Sequence, residues 1–126
     1  MIVHDLRPEA VASMARVDLS TVREEPPSPI GSIPIPESIC GIASFVGRPP
    51  WELHTAGEEL LHILAGACDL TVREGTGEVT RTLRAGDLAI VPKGCWHSND
   101  ARSGVTMFFI TPRSGNQHSV ADPAGG

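Results

Sequence analysis

GDLAIVPKGCWHSN, residues 86–99, sets a short apolar run between turn-forming residues and then presents a histidine. Gly86 lies where a turn feeds the strand-like run Leu88 to Val91, and Pro92, which lacks a backbone N–H, ends it. Gly94 bends the chain, so that His97 opens the next strand aimed back across the sheet. A strand this short, turned so sharply onto an ionisable side chain, fits a small β architecture with an inward-facing site.

The same grammar extends on both sides. From Cys40 onward the chain breaks into β-like runs: CGIASFV, the stretch around Trp51 to His54, ELLHILA, CDLTVRE, VTRTLR, DLAIVP, CWHSN and VTMFFIT. Turn formers separate them: GRPP, TAG, GTGE, RAGD, PKG and ARSG. About eight short strands joined this way predict an all-β sandwich or jelly-roll barrel. Helical periodicity does not persist after residue 25, although residues 7–16 (RPEAVASMAR) suit one short helix with Pro8 in its first turn. The five prolines of EEPPSPIGSIPIPES, residues 24–38, remove backbone donors and predict a surface arm or edge segment. The chain therefore divides into an arm and edge segment (1–39), a barrel core (40–112) and a tail (113–126). That tail is small and polar, which predicts disorder and gives His118 no part in a site.

Composition narrows the function. A chain of 126 residues makes one domain with a sizeable core. A formal charge of -5, with the lysines and arginines scattered singly, argues against a nucleic-acid surface or an anionic membrane as partner. No segment approaches the roughly 18 apolar residues of a membrane span, and MIVHDLRPEA has no signal pattern; a cytoplasmic protein is expected. Cys40, Cys68 and Cys95 form no CxxC pair and read as reduced, mostly buried thiols. Tyrosine is absent, which excludes phenol acid chemistry and tyrosyl cross-links.

Upstream, WELHTAGEELLHILAG, residues 51–66, supplies the other ionisable groups. Glu52 and His54 share a face of their strand, because successive side chains alternate. Glu58 and Glu59 then compete for the inward position. If Glu59 faces in, Leu61 and Ile63 follow it and His62 turns out. If Glu58 does, His62 is buried among leucines, where a lone histidine packs as a hydrogen-bonded core residue. Glu59 is the better reading.

Together these residues resemble the two motifs of the cupin superfamily. Gly86, Pro92, Gly94 and His97 match the second motif: glycine, five residues, Pro-x-Gly, two residues, histidine. His54, Glu59 and Gly66 match the end of the first motif, with the four-residue gap that also favours Glu59. Glu52 stands where the family has its first histidine, Val46 where a glycine opens the first motif, and Ala101 where asparagine closes the second. The resemblance covers about residues 40–112 and implies a single cupin-type jelly-roll β-barrel of short antiparallel strands. It also implies a divalent transition metal (Fe, Mn, Ni or Zn) on His54, Glu59 and His97. Glu52 is read as a fourth metal ligand, as a catalytic base beside the metal, or as a rim residue paired with Arg48.

The neighbouring residues carry less. Cys95 and Asn99 share parity with His97, while Trp51 and Trp96 face away from the site. Met107 to Ile110 is apolar on both faces, which predicts a partner sheet and a homodimer. The expected function is a small metalloenzyme of dioxygenase, isomerase/cyclase or lyase type, acting on a small polar metabolite chelated to the metal. The alternative is a non-catalytic module that binds or senses a small molecule.

Overall fold

Alternation of apolar and polar side chains decides which face of each strand turns inward. In the computed structural model, which describes residues 5, 7, 9, 10, 17–19, 30–35 and 37–123, Glu59, Leu61 and Ile63 are buried in turn. Leu60, His62 and Leu64 lie half-buried on the opposite face, and Glu58 is exposed. The register with Glu59 inward is the observed one.

Among the described residues nine strands form: β1 (Val17–Leu19), β2 (Ile30–Ile35), β3 (Ser38–Gly47), β4 (Trp51–His54), β5 (Glu59–Glu74), β6 (Gly77–Arg84), β7 (Leu88–Val91), β8 (His97–Pro112) and β9 (Asn116–Ser119). β8 is the spine, pairing antiparallel with β3, β4 and β5. β5 pairs in addition with β6 and β7, and β4 with β9. All pairings are antiparallel except β1 with β3. This is the expected all-β jelly roll.

Two of the strands are longer than the sequence suggested. ELLHILA and CDLTVRE are one 16-residue strand, β5, and the HSN of CWHSN and VTMFFIT are one 16-residue strand, β8. The glycines between them bend the strands without ending them, and the register shifts at Ile63/Ala65 and Gly66/Asp69 mark the corner. Gly66 has φ +75°, and a Cβ there would strike the Gly104 carbonyl, so close approach of the two long strands requires glycine.

The core is built from alternate residues of these strands: Phe45, Leu61, Ile63, Cys68, Leu70, Leu83, Val91, Val105 and Met107 among them. Each large aliphatic side chain so buried stabilises the fold by about 1.5–3 kcal/mol. Inside this shell Ser44 Oγ and Thr106 Oγ1 pair at 2.8 Å, which satisfies two buried hydroxyls.

At the N-terminus, the proline-rich stretch contributes β2, which pairs only with β3 among the described strands. Of residues 7–16, Arg7, Glu9 and Ala10 are described, with Ala10 N–H donating to Arg7 O at 3.0 Å; the rest of the expected helix lies outside the described residues. At the other end the expectation of a disordered tail is overturned. Residues 116–119 form β9, which pairs with β4 from Trp51–Ser119 to His54–Asn116. β4 meets β8 on one edge, at Glu52–His97, and β9 lies along the other, where polar residues suffice because pairing depends on backbone groups. Among the described residues no helix is long and apolar enough to cross a membrane.

An apolar surface also lies outside the barrel. The register sets Ile90, Leu60 and Ile110 in one row and Leu88, His62 and Phe108 in the next, and directly opposed residues share a face. Leu88 is 58% exposed and Ile90 49%.

Candidate metal centre

β4 brings the first two groups. Trp51 faces the outer side, where the Arg73 guanidinium lies 4.8 Å over its ring, so Glu52 and His54 point into the barrel. His54 is fixed along the chain by its carbonyl, which accepts from Gly94 N–H at 2.9 Å. Glu59 opens β5 opposite Val91, and His97 opens β8 opposite Glu52. His97 is wholly buried, His54 and Glu59 nearly so, and the Glu52 side chain is 19% exposed toward the cavity.

The four side chains meet. One ligating atom from each of Glu52, His54, Glu59 and His97 lies within 4.8 Å of all the others. His54 Nε2 is 3.2 Å from Glu59 Oε2 and 3.5 Å from Glu52 Oε2; His97 Nε2 is 3.1 Å from Glu59 Oε1 and 3.5 Å from Glu52 Oε2. Despite these distances neither Nε2 makes a hydrogen bond, since neither is aligned with a carboxylate oxygen. Buried polar atoms are seldom left this way. The two nitrogens and two carboxylates converge on the space between them, which is the arrangement of a metal-ion site.

Supporting groups set the orientation of two of the four. Thr111 Oγ1 donates to Glu59 Oε2 at 2.5 Å. His54 Nδ1 lies 2.8 Å from Asn116 Oδ1, and Asn116 Nδ2 donates to Pro112 O at 2.8 Å. His97 Nδ1 has no such partner.

Electrostatics is dominated by burial and by mutual charge. Burial alone would lower the His54 and His97 pKa values, but Glu52 and Glu59 facing them override it and raise them to about 10 and about 9. Burial alone would raise the carboxylates; the facing imidazoles instead bring Glu52 down to about 2 and lower Glu59 as well. Two imidazolium charges thus balance two carboxylates. One divalent cation replacing two protons leaves the same net charge, so the donor set is matched to a divalent ion without a change in buried charge.

A cavity of about 200 Å³ opens from this cluster. Ile39, Ala43, Phe45, Leu61, Met107 and Phe109 give it an apolar wall, and Glu52, His54 and Glu59 its polar end. Among the described residues no lysine or arginine lines it. Asn99 lines the cavity as well, with Cys68 Sγ 3.9 Å from its Oδ1. Cys95 is half-buried and outside the four-residue cluster.

Sequence reading found the four clustered residues and missed three others: Thr111, Asn116 and His118. Parity along β8 points to Thr111, which shares its face with Phe109 and Met107. No local pattern marks Asn116 or His118, whose places depend on β9 pairing with β4. His118, given no weight by the sequence, lines the cavity with Nε2 3.7 Å from Glu52 Oε1.

Known proteins share this fold. Residues 46–111, just over half of the chain, match the family model described as a cupin domain. Among solved structures, a cupin-2 domain containing protein from Shewanella frigidimarina is 23% identical with a TM-score of 0.58, over 68% of this chain and 80% of that one. A Neisseria meningitidis protein is 18% identical with a TM-score of 0.63, over 88% and 99% of the two chains. Oxalate decarboxylase from Bacillus subtilis, a protein with Mn(II) centres, is 15% identical with a TM-score of 0.58; the match covers 65% of this chain but only 24% of that one. A search of the curated proteins finds no match to this sequence. The family match spans all four clustered residues and stops short of Asn116 and His118, so both motif and barrel say the same thing: this chain belongs to the cupin family.

Proposed function

We propose that His54, Glu59, His97 and Glu52 hold one divalent transition metal (Fe, Mn, Ni or Zn) and that the protein is a small metalloenzyme of dioxygenase, isomerase/cyclase or lyase type. The observation that carries this reading is the pair of buried imidazole Nε2 atoms, without hydrogen-bond partners, facing two carboxylates. The Mn(II) centres of the structurally similar oxalate decarboxylase support a divalent ion. When bound, such an ion polarises a substrate oxygen.

The chain's own residues do the rest. Glu52 presents Oε2 to the two imidazoles and Oε1 toward His118, so one oxygen can ligate while the other holds or passes a proton at the cavity mouth. The wall of Phe45, Leu61, Met107 and Phe109 gives the polar end apolar surroundings that strengthen its electrostatic interactions. These features favour a small metabolite with an apolar body and one oxygen-bearing end, which narrows the small polar metabolite expected from sequence. A divalent ion and two carboxylates sum to zero charge and no lysine or arginine among the described residues lines the cavity, so a dianion such as oxalate is poorly matched.

Metal analysis of the purified protein tests the reading. The expected result is about one transition metal per chain, lost in His54→Ala and His97→Ala. A metal-free wild type of unchanged fold would favour the second reading, a non-catalytic binding or sensing module, which the apolar cavity also suits. The outer face of Leu60, Leu88, Ile90 and Ile110 supports the homodimer proposed from sequence. Light scattering checks it: a dimer that Leu88→Glu dissociates is expected, and a monomeric wild type would contradict it.

A further inference from the structure

The C-terminal strand lies beyond the family match, yet its register sets it against the site. In the β4–β9 pairing Asn116 stands opposite His54 and His118 opposite Glu52, so each inward residue of β4 has its own cross-strand partner. Directly opposed residues share a face, and both partners line the cavity. The turn into β9 is itself specified. Gly115 has φ +75°, a Cβ on it would strike Thr55 Oγ1, and its carbonyl accepts from both Thr55 Oγ1 at 2.9 Å and Thr55 N–H at 3.2 Å.

We infer that Asn116 is a positioning residue that holds the His54 ring with a proton on Nδ1, so that Nε2 faces the cluster as the nitrogen whose proton a metal would displace. The orientation of the asparagine amide follows from its other contact. Pro112 O can only accept, so the Asn116 atom 2.8 Å from it is the donor Nδ2, which leaves the acceptor Oδ1 toward His54 at 2.8 Å. An acceptor there requires a proton on Nδ1, and an imidazole that donates through Nδ1 offers Nε2 as a ligand. Among the described residues His97 has no equivalent partner, so this restraint acts on one of the two imidazoles. The inference rests on the metal reading above for its consequence, but the hydrogen bond can be measured without any metal.

Zinc serves as the probe, with affinity read by competition against a chromophoric chelator. Asn116→Leu, close in size but without an acceptor, should weaken zinc roughly 10–100-fold. Asn116→Asp keeps the acceptor and should stay within about tenfold of wild type. Gln117→Ala, an exposed position on the same strand, should leave affinity unchanged. In the metal-free protein, NMR should show a slowly exchanging His54 Nδ1–H that Asn116→Leu abolishes. Equal zinc affinity in wild type and Asn116→Leu, or equal weakening by Asn116→Leu and Gln117→Ala, would overturn the inference while leaving the metal reading intact. A wild type that binds no zinc yet shows the protected Nδ1–H would instead remove the metal reading alone.

Discussion

Two charged clusters sit on opposite faces of the same strands, and they obey different rules. On the outer face Arg73 pairs with Glu78 at 3.0 Å and with Asp122 at 2.6 Å beneath the Trp51 ring, and Asp100 pairs with Arg48 at 3.1 Å and Arg102 at 3.2 Å. These are partly exposed and paired charge to charge. On the inner face, one residue along, Glu52, His54, Glu59 and His97 are packed without aligned hydrogen bonds between them. An exposed cluster closes on itself and is worth little, since solvent screens it. A buried one leaves a central position to which all its donors point, and this is the position proposed for a cation.

Removing a ligand should separate the faces most strongly. His97→Ala should abolish metal binding and destabilise the metal-free protein by about 3–5 kcal/mol, because two buried carboxylates lose a balancing charge. Chemical denaturation with metal analysis checks both. Next in size is the effect of pH. His54 and His97 have folded-state pKa values raised above 6.5, so their contribution is complete below that value and lost as pH rises through about 9 to 10. Glu52 is depressed from 4.5 to about 2, so its contribution is present above 4.5 and lost as pH falls toward 2. For these groups the metal-free protein should be most stable between about 4.5 and 6.5. Its Tm should fall from pH 6.5 to 10, while stabilisation by added metal grows, because fewer protons compete for the donors. A stabilisation by metal that shrinks over this range would break the contrast.

How much of this the sequence disclosed depends on the range of the interactions. The four clustered residues were legible because strand parity and motif spacing are local: two places separate Glu52 from His54, and Glu59 carries Leu61 and Ile63 with it. The long strands were read as pairs of short ones because a glycine such as Gly66 marks a break and a bulge alike. Asn116 and His118 were illegible for a different reason. A polar strand like β9 has no apolar periodicity to announce it, and only its backbone pairing with β4 brings it to the site.

Smaller effects sharpen the contrast further. Thr111→Val removes the donor to Glu59 Oε2 and should cost about 1.5–3 kcal/mol while weakening metal binding less than loss of a ligand does. Thermal denaturation and zinc titration read the two quantities. Arg73→Met on the outer face should cost no more than about 1 kcal/mol, shrink in high salt and leave metal content unchanged.

Anomalous diffraction at the absorption edges of Fe, Mn, Ni and Zn addresses the inner cluster directly. A single peak about 2.0–2.2 Å from His54 Nε2, His97 Nε2 and a Glu59 oxygen is predicted. Crystals showing no peak there, with each imidazole instead donating to a realigned carboxylate, would contradict it.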